Sequence, residues 1–149
     1  YPVTDYTVLE RDGLKVAVFG VLGEDADDAA PMSGMAFTPI AEAAERVVEE
    51  LQAEEAPDYI ICLSHSGTRD GKGEDYALAK AVDGIDVIIS GHTHTTLTES
   101  IRVNDTLIVS CGEYTQNLGM LTVSKEGERV ELVDYQLIPV DETVAGTMT

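Results

Sequence analysis

Apolar residues along this chain follow two kinds of pattern, and the kind changes past the middle. Leu14–Leu22 (LKVAVFGVL), Asp58–Leu63 (DYIICL) and Asp86–Ser90 (DVIIS) are short, nearly uninterrupted apolar runs. Runs of that length, apolar on both pleats, predict strands buried inside a sheet. Between the first two lies TPIAEAAERVVEELQAEEAP, in which Ile40, Ala44, Val47, Val48 and Leu51 share one helical face and Glu42, Glu45 and Glu49 the other. Thr38 is the expected N-cap, Pro39 the first helical residue and Pro57 the stop. A shorter helix is expected over roughly Glu74–Val82, with Leu78, Ala79 and Val82 inward and Asp83-Gly84 ending it. Alternation of buried strands with amphipathic helices is the order of βαβ units and predicts a parallel sheet covered by helices.

After His94 the helical period disappears. TESIRV, DTLIVSCG, LGMLTVS and RVELVDYQLIPV are strand-like, separated by Asn104-Asp105 and by the turn sequence KEGE. They predict antiparallel hairpins extending or flanking the sheet. With no internal repeat and no low-complexity linker, the 149 residues read as one α/β unit.

Charge narrows the partners. There are 28 acidic residues against 9 basic ones, a net charge of −19. That field repels polyanions and excludes nucleic-acid binding through a basic surface. An anionic substrate is admitted only where metal ions reverse the local potential. So acidic a composition also fits adaptation to high salt, with an ordinary solvated acidic surface as the plainer reading. No stretch approaches the ~18 apolar residues of a membrane span, and the opening YPVTDYTVLERDG shows no charged-then-apolar leader. Cys62 and Cys111, both in apolar strand-like runs, are expected as buried free thiols.

The chain has three histidines, and each stands at the end of an apolar strand run. His65 closes DYIICLSH; His92 and His94 follow Gly91 directly after DVIIS. In an open α/β sheet, ligands bind at the carboxyl ends of the strands. Gly91 allows a sharp turn there, and an H-x-H pair around the stiff Thr93 can send both imidazoles to one side. A single strand-end histidine is accounted for by backbone hydrogen bonding. Three of three on one sheet edge point to metal ligation by His65, His92 and His94. Rival motifs are weaker. GEDADD (Gly23–Asp28) lacks calcium-loop spacing and reads as a solvated loop. TRDGKGED lacks phosphate-loop order, and Ser64 and Ser66 lack the glycine pattern of a nucleophile elbow. No catalytic or substrate-binding residue is assigned.

The blocks LSHSG, GIDVIISGHTHT and VSCGEYTQNLGMLTV, in this order, resemble the calcineurin-like metallophosphoesterases. The nearest branch is that of the 5′-nucleotidases and 2′,3′-cyclic-nucleotide 2′-phosphodiesterases. The opening YTVLERDGLKVAVFGVLGED is similar to the strand pair of that family, so the likeness covers about residues 5 to 140. It implies half of a four-layer α/β/β/α sandwich, a mixed sheet of βαβ units followed by antiparallel hairpins. It also implies two divalent metals, such as manganese or zinc, bridged by one carboxylate. His65 and His92 would ligate one ion and His94 the other, and a metal-activated water would attack phosphorus in line. Nucleotides or cyclic nucleotides are the implied substrates, and a periplasmic, secreted or cell-surface location the implied compartment. CGEYTQNLG brings no ligand with it.

The family's first half carries Asp-x-His, a bridging Asp and an Asn-His pair, and none occurs here. The chain thus resembles the carboxy-terminal half of the metallophosphatase domain. Alone it is expected to be an incomplete, inactive site, with an apolar flank that self-associates where the amino-terminal half would sit. Three other readings stand beside this one: a thiosulfate-oxidising hydrolase subunit of the same superfamily, a non-catalytic metal-binding or interaction module, and a self-sufficient three-histidine zinc site.

Overall fold

The computed structural model describes residues 3–29, 32, 34, 36–69, 71–127 and 129–142. Parts of the acidic loop (30, 31 and 33) and Glu128 of the expected KEGE turn lie outside the described residues. In chain order come β1 (Tyr6–Arg11), β2 (Leu14–Leu22), α1 (Asp25–Ala29), α2 (Ile40–Glu50), β3 (Tyr59–His65), α3 (Glu74–Ala81), β4 (Val87–Ser90), β5 (Ile101–Val103), β6 (Thr106–Val109), β7 (Asn117–Glu126) and β8 (Arg129–Pro139).

The main sheet has the order β1-β2-β3-β4-β6-β5, and β7-β8 form a separate two-stranded sheet. The buried runs β2, β3 and β4 are parallel, and β6 joins them in parallel beside β4. β1 and β5 are antiparallel edges. The β5–β6 hairpin therefore extends the sheet through its second strand, while β7–β8 flanks it. The fold is the expected mixed α/β arrangement.

β2 has the expected bounds, but β3 runs on to His65, so the histidine is the last residue of its strand. β4 starts at Val87 because the Asp86 side chain turns back to accept the Ile60 N–H at 2.8 Å. Thr38 is not the N-cap of α2. Pro39 takes that place with φ −51° and ψ 135°, too extended for a helical residue, and its carbonyl accepts the Ala43 N–H at 3.1 Å. The helix continues through a π turn at Leu51–Glu55 and stops on left-handed Ala56, whose N–H bonds the Leu51 carbonyl, one residue before Pro57. α3 ends at Ala81, with Val82 already extended.

One pleat of the sheet (Ala17, Phe19, Ile60, Cys62, Ile88, Ile108) packs on Ala44, Val47 and Val48 of α2, on Leu51 of the π turn and on Leu78 and Ala79 of α3, with Val82 just beyond. The other pleat is covered only in part. Val87, Leu107 and Val109 are buried there, as is Val130 of β8. Lys125 lies 5.4 Å over the Tyr59 ring, and the Tyr135 hydroxyl donates to the Ser110 carbonyl at 3.1 Å, holding the hairpin to that side. Toward the strand ends the cover stops: Leu22, Leu63 and Ile89 are 55%, 48% and 43% exposed. Both cysteines are reduced, as expected. Only Cys62 is buried in a strand; Cys111 lies beyond β6 and is half-buried. Burial, and after it the charge of Asp75, push the Cys62 thiol up to about 12.

Candidate metal centre

Three parallel strands stop side by side and place the histidines. Leu22 of β2 is level with His65 of β3, and Ser64 is level with Ser90 of β4. The ladder continues one step further, Gly23 N–H to His65 carbonyl at 3.1 Å and Gly91 N–H to Ser64 carbonyl at 2.8 Å. A β-carbon on Gly91 would sit 3.4 Å from His65 Nδ1, so glycine lets the next strand end pass close to the imidazole.

His92 and His94 are both left-handed, with φ 73° and 55°. Non-glycine residues hold such backbone only where their surroundings fix it, and such strain gathers at functional sites. Here the fixing group is the Thr68 carbonyl. It accepts the hydroxyls of Thr93 at 2.9 Å and Thr95 at 2.5 Å, while the Thr68 N–H returns to Thr93 Oγ1 at 3.2 Å. Thr93 is thus a clasp between the two histidines, a stronger role than the stiff spacer its β-branch suggests.

The imidazoles divide two and one. His65 and His92 meet with ring centroids 5.0 Å apart at 62°. His92 Nε2 lies 3.2 Å from the Asp25 carboxylate. His94 faces elsewhere, its Nδ1 2.5 Å from Glu113 and its ring 5.6 Å from Tyr114. The expectation that all three approach one another is corrected: among the described residues no group of three or more His, Cys, Asp or Glu is arranged to hold a metal. The left-handed turns at His92 and His94 send the two side chains apart. This speaks against a self-sufficient three-histidine zinc site. Exposure follows the expectation, with His65 and His94 exposed and His92 half-buried.

Two carboxylates at the site escaped the sequence. Asp25 lies in GEDADD, expected to be a solvated loop, and opens the short helix α1 that takes up its last four residues. Glu113 lies in CGEYTQNLG. Each follows the carboxyl end of a strand of the main sheet, the position that singled out the histidines, but acidic residues are too common in this chain to stand out. Ser64 and Ser66 turn inward and are buried. Imidazole nitrogens with carboxylate oxygens suit zinc- or manganese-like divalent ions in kind. In number they fall short of two complete coordination shells.

No family model matches the sequence. The chain is 38% identical over 144 residues to the trifunctional nucleotide phosphoesterase protein YfkN of Bacillus subtilis, covering 92% of this chain and 10% of that protein. It is 27% identical to a 5′-nucleotidase of Vibrio cholerae, covering 91% of this chain and 30% of the relative. Among solved structures, the sulfate thiohydrolase SoxB of Thermus thermophilus superposes with a TM-score of 0.78 at 25% identity, over 91% of this chain and 24% of that one. The chain therefore spans from a tenth to under a third of these three proteins.

Proposed function

Because the chain belongs to the calcineurin-like metallophosphoesterase superfamily, in its 5′-nucleotidase branch, we propose that it is the carboxy-terminal part of the metallophosphatase domain of an enzyme that hydrolyses nucleotide phosphates. The observation that carries this reading is the two-and-one division of the histidines at a common strand edge. His65 and His92, 5.0 Å apart, would hold one divalent ion, and His94, directed away from them, the other. When bound, the ions supply a metal-activated water and neutralise phosphate charge.

The chain's own groups do the holding. The Thr68 carbonyl and the Thr93 and Thr95 hydroxyls keep the turn that aims His92 and His94 apart. Asp25 and Glu113 pair with His92 and His94 and restrict the rotation of their rings. With a net charge of −19, a dianionic phosphate reaches this edge only against cations held there. Exposed Leu22, Leu63 and Ile89 border the same edge, which suits cover by the amino-terminal half that would bring the remaining ligands. A periplasmic, secreted or cell-surface location accompanies this reading.

The test is phosphate release from 5′-AMP and from 2′,3′-cyclic AMP under saturating manganese or zinc. The isolated chain should release none, and the full-length protein should be active on at least one. His92→Ala in the full-length protein should lose most of that activity through weakened metal binding, on the order of 100-fold. Equal activity in mutant and parent removes these histidines from the mechanism. Hydrolysis of thiosulfonates with no phosphate release would move the chain to the SoxB-like reading, which the TM-score of 0.78 keeps beside this one.

A further inference from the structure

We propose that Asp75 is a positioning residue for the metal centre: its buried carboxylate ties the ends of β3 and β4 together through the hydroxyls of Ser64, Ser66 and Ser90, and so sets the spacing of His65 and His92. The proposal rests on the reading of these histidines as metal ligands.

Asp75 stands in the first turn of α3 and is wholly buried. One carboxylate oxygen accepts the Ser64 hydroxyl at 2.5 Å and the Ser66 hydroxyl at 2.6 Å; the other accepts the Ser90 hydroxyl. The Asp75 N–H donates to the Gly67 carbonyl at 3.1 Å, which fixes the start of α3 to the segment that follows His65. The serines are themselves buried, at 5%, 6% and 8% exposure.

Their places in the chain give the cluster its meaning. Ser64 and Ser66 bracket His65, and Ser90 stands two residues before His92. Ser64 and Ser90 are also register partners across β3 and β4. One carboxylate therefore grips both strand ends within two residues of each histidine, on the pleat opposite to the His65 side chain. Apolar side chains of similar volume would hold α3 against the sheet at least as well, since burying polar groups brings little net stability even when all are paired. Hydrogen bonds to one acceptor add direction. They fix the rotation and offset of the two strand ends, as outer groups around metal ligands commonly do.

The variants are Ser90→Ala, Ser64→Ala and Asp75→Asn in the full-length protein, with Ser90→Thr to restore a hydroxyl. Three quantities are read: the melting temperature, the cobalt(II) affinity from its visible absorption, and the His65–His92 ring spacing in metal-free crystals. Ser90→Ala should melt close to the parent yet bind cobalt about 10- to 100-fold more weakly, with the rings displaced from their 5.0 Å spacing. Ser90→Thr should recover the affinity. Asp75→Asn should move the same way, further, and with a lower melting temperature; if it does not fold, the two serine variants decide. Lower melting with unchanged ring spacing and unchanged affinity would overturn the proposal and leave Asp75 a brace for α3. A parent that binds no cobalt, with rings that still shift in the variants, would sink the metal-centre reading and leave the clamp standing.

Discussion

Gly67→Ala should disrupt the loop that presents His92 and His94, acting through Thr93 between them. Gly67 has φ +99°, and a β-carbon built on it would lie 2.3 Å from Thr93 Cγ2 and 3.0 Å from Thr93 Oγ1. Thr93 cannot swing away without giving up its bonds to Thr68. Two costs add. Forcing alanine to positive φ costs about 1–2 kcal/mol, and driving a methyl into packed atoms costs about 1–3 kcal/mol. The sum is roughly 2–5 kcal/mol, or a melting temperature lower by roughly 5–15 °C in a domain of this size. The same loop offers a control. Gly71 has φ +66° with nothing within 4 Å of its β-carbon, so Gly71→Ala should show the backbone cost alone. Adding Thr93→Ser to Gly67→Ala removes the nearest clashing atom and keeps the hydroxyl, and should recover most of the difference between the two glycine variants. Thermal unfolding followed by circular dichroism reads all four proteins. If Gly67→Ala melts with Gly71→Ala, or Thr93→Ser recovers nothing, the packing of residue 67 against the histidine loop is not what holds that loop.

Thiol reagents should separate the cysteines: raising the Cys62 thiol from 9.0 to about 12 cuts its thiolate at pH 8 on the order of a thousand-fold, while half-buried Cys111 should label first. Comparable labelling of both in the native protein would contradict the burial. The same shift predicts alkaline weakening. The folded-state value lies above the unfolded one, so the contribution is whole below pH 9.0 and is lost as pH climbs toward 12, at up to about 1.4 kcal/mol per unit. Urea unfolding at pH 8 to 11 should show a slope that Cys62→Ala reduces. If the acidic composition reflects salt adaptation, melting temperature should rise steadily into molar salt, well past the ionic strength at which simple screening saturates; a flat profile would leave only a solvated acidic surface. The isolated chain should self-associate through the pleat bearing Leu22, Leu63 and Ile89, and sedimentation showing a strict monomer at high concentration would count against the half-domain reading.

The sheet was readable from sequence where its strands are nearly continuous apolar runs. Leu14–Leu22 matched to the residue: the run, apolar but for Lys15, is a strand held between antiparallel β1 and parallel β3 with Ala17 and Phe19 in the core. Pairing order was not readable in the same way. Nothing local in IRV or TLIV says that the second, and not the first, lies beside β4. The choice belongs to long-range contacts such as the Leu107 N–H bonding the Asp86 carbonyl and the Thr106 hydroxyl bonding that of Ile85. The misplaced N-cap of α2 has a similar origin, since proline fixes φ but leaves ψ free, and ψ at Pro39 is settled by the chain's approach to the helix.

The site divides along the same line. Position was legible: a strand's carboxyl end is where an α/β sheet offers ligands, and all three histidines stand there. Direction was not, because it turns on positive φ at His92 and His94, held by the carbonyl of Thr68, about 25 residues upstream. The carboxylates were hidden for a different reason. Among 28 acidic residues an aspartate after one strand and a glutamate after another carry almost no information, yet Asp25 and Glu113 are the ones against the imidazoles. The same acidity makes the edge dependent on its ions. With so few basic residues in the chain, the positive charge that an anionic phosphate needs has to come from metal, and metal has to be held by the few groups whose geometry the fold controls.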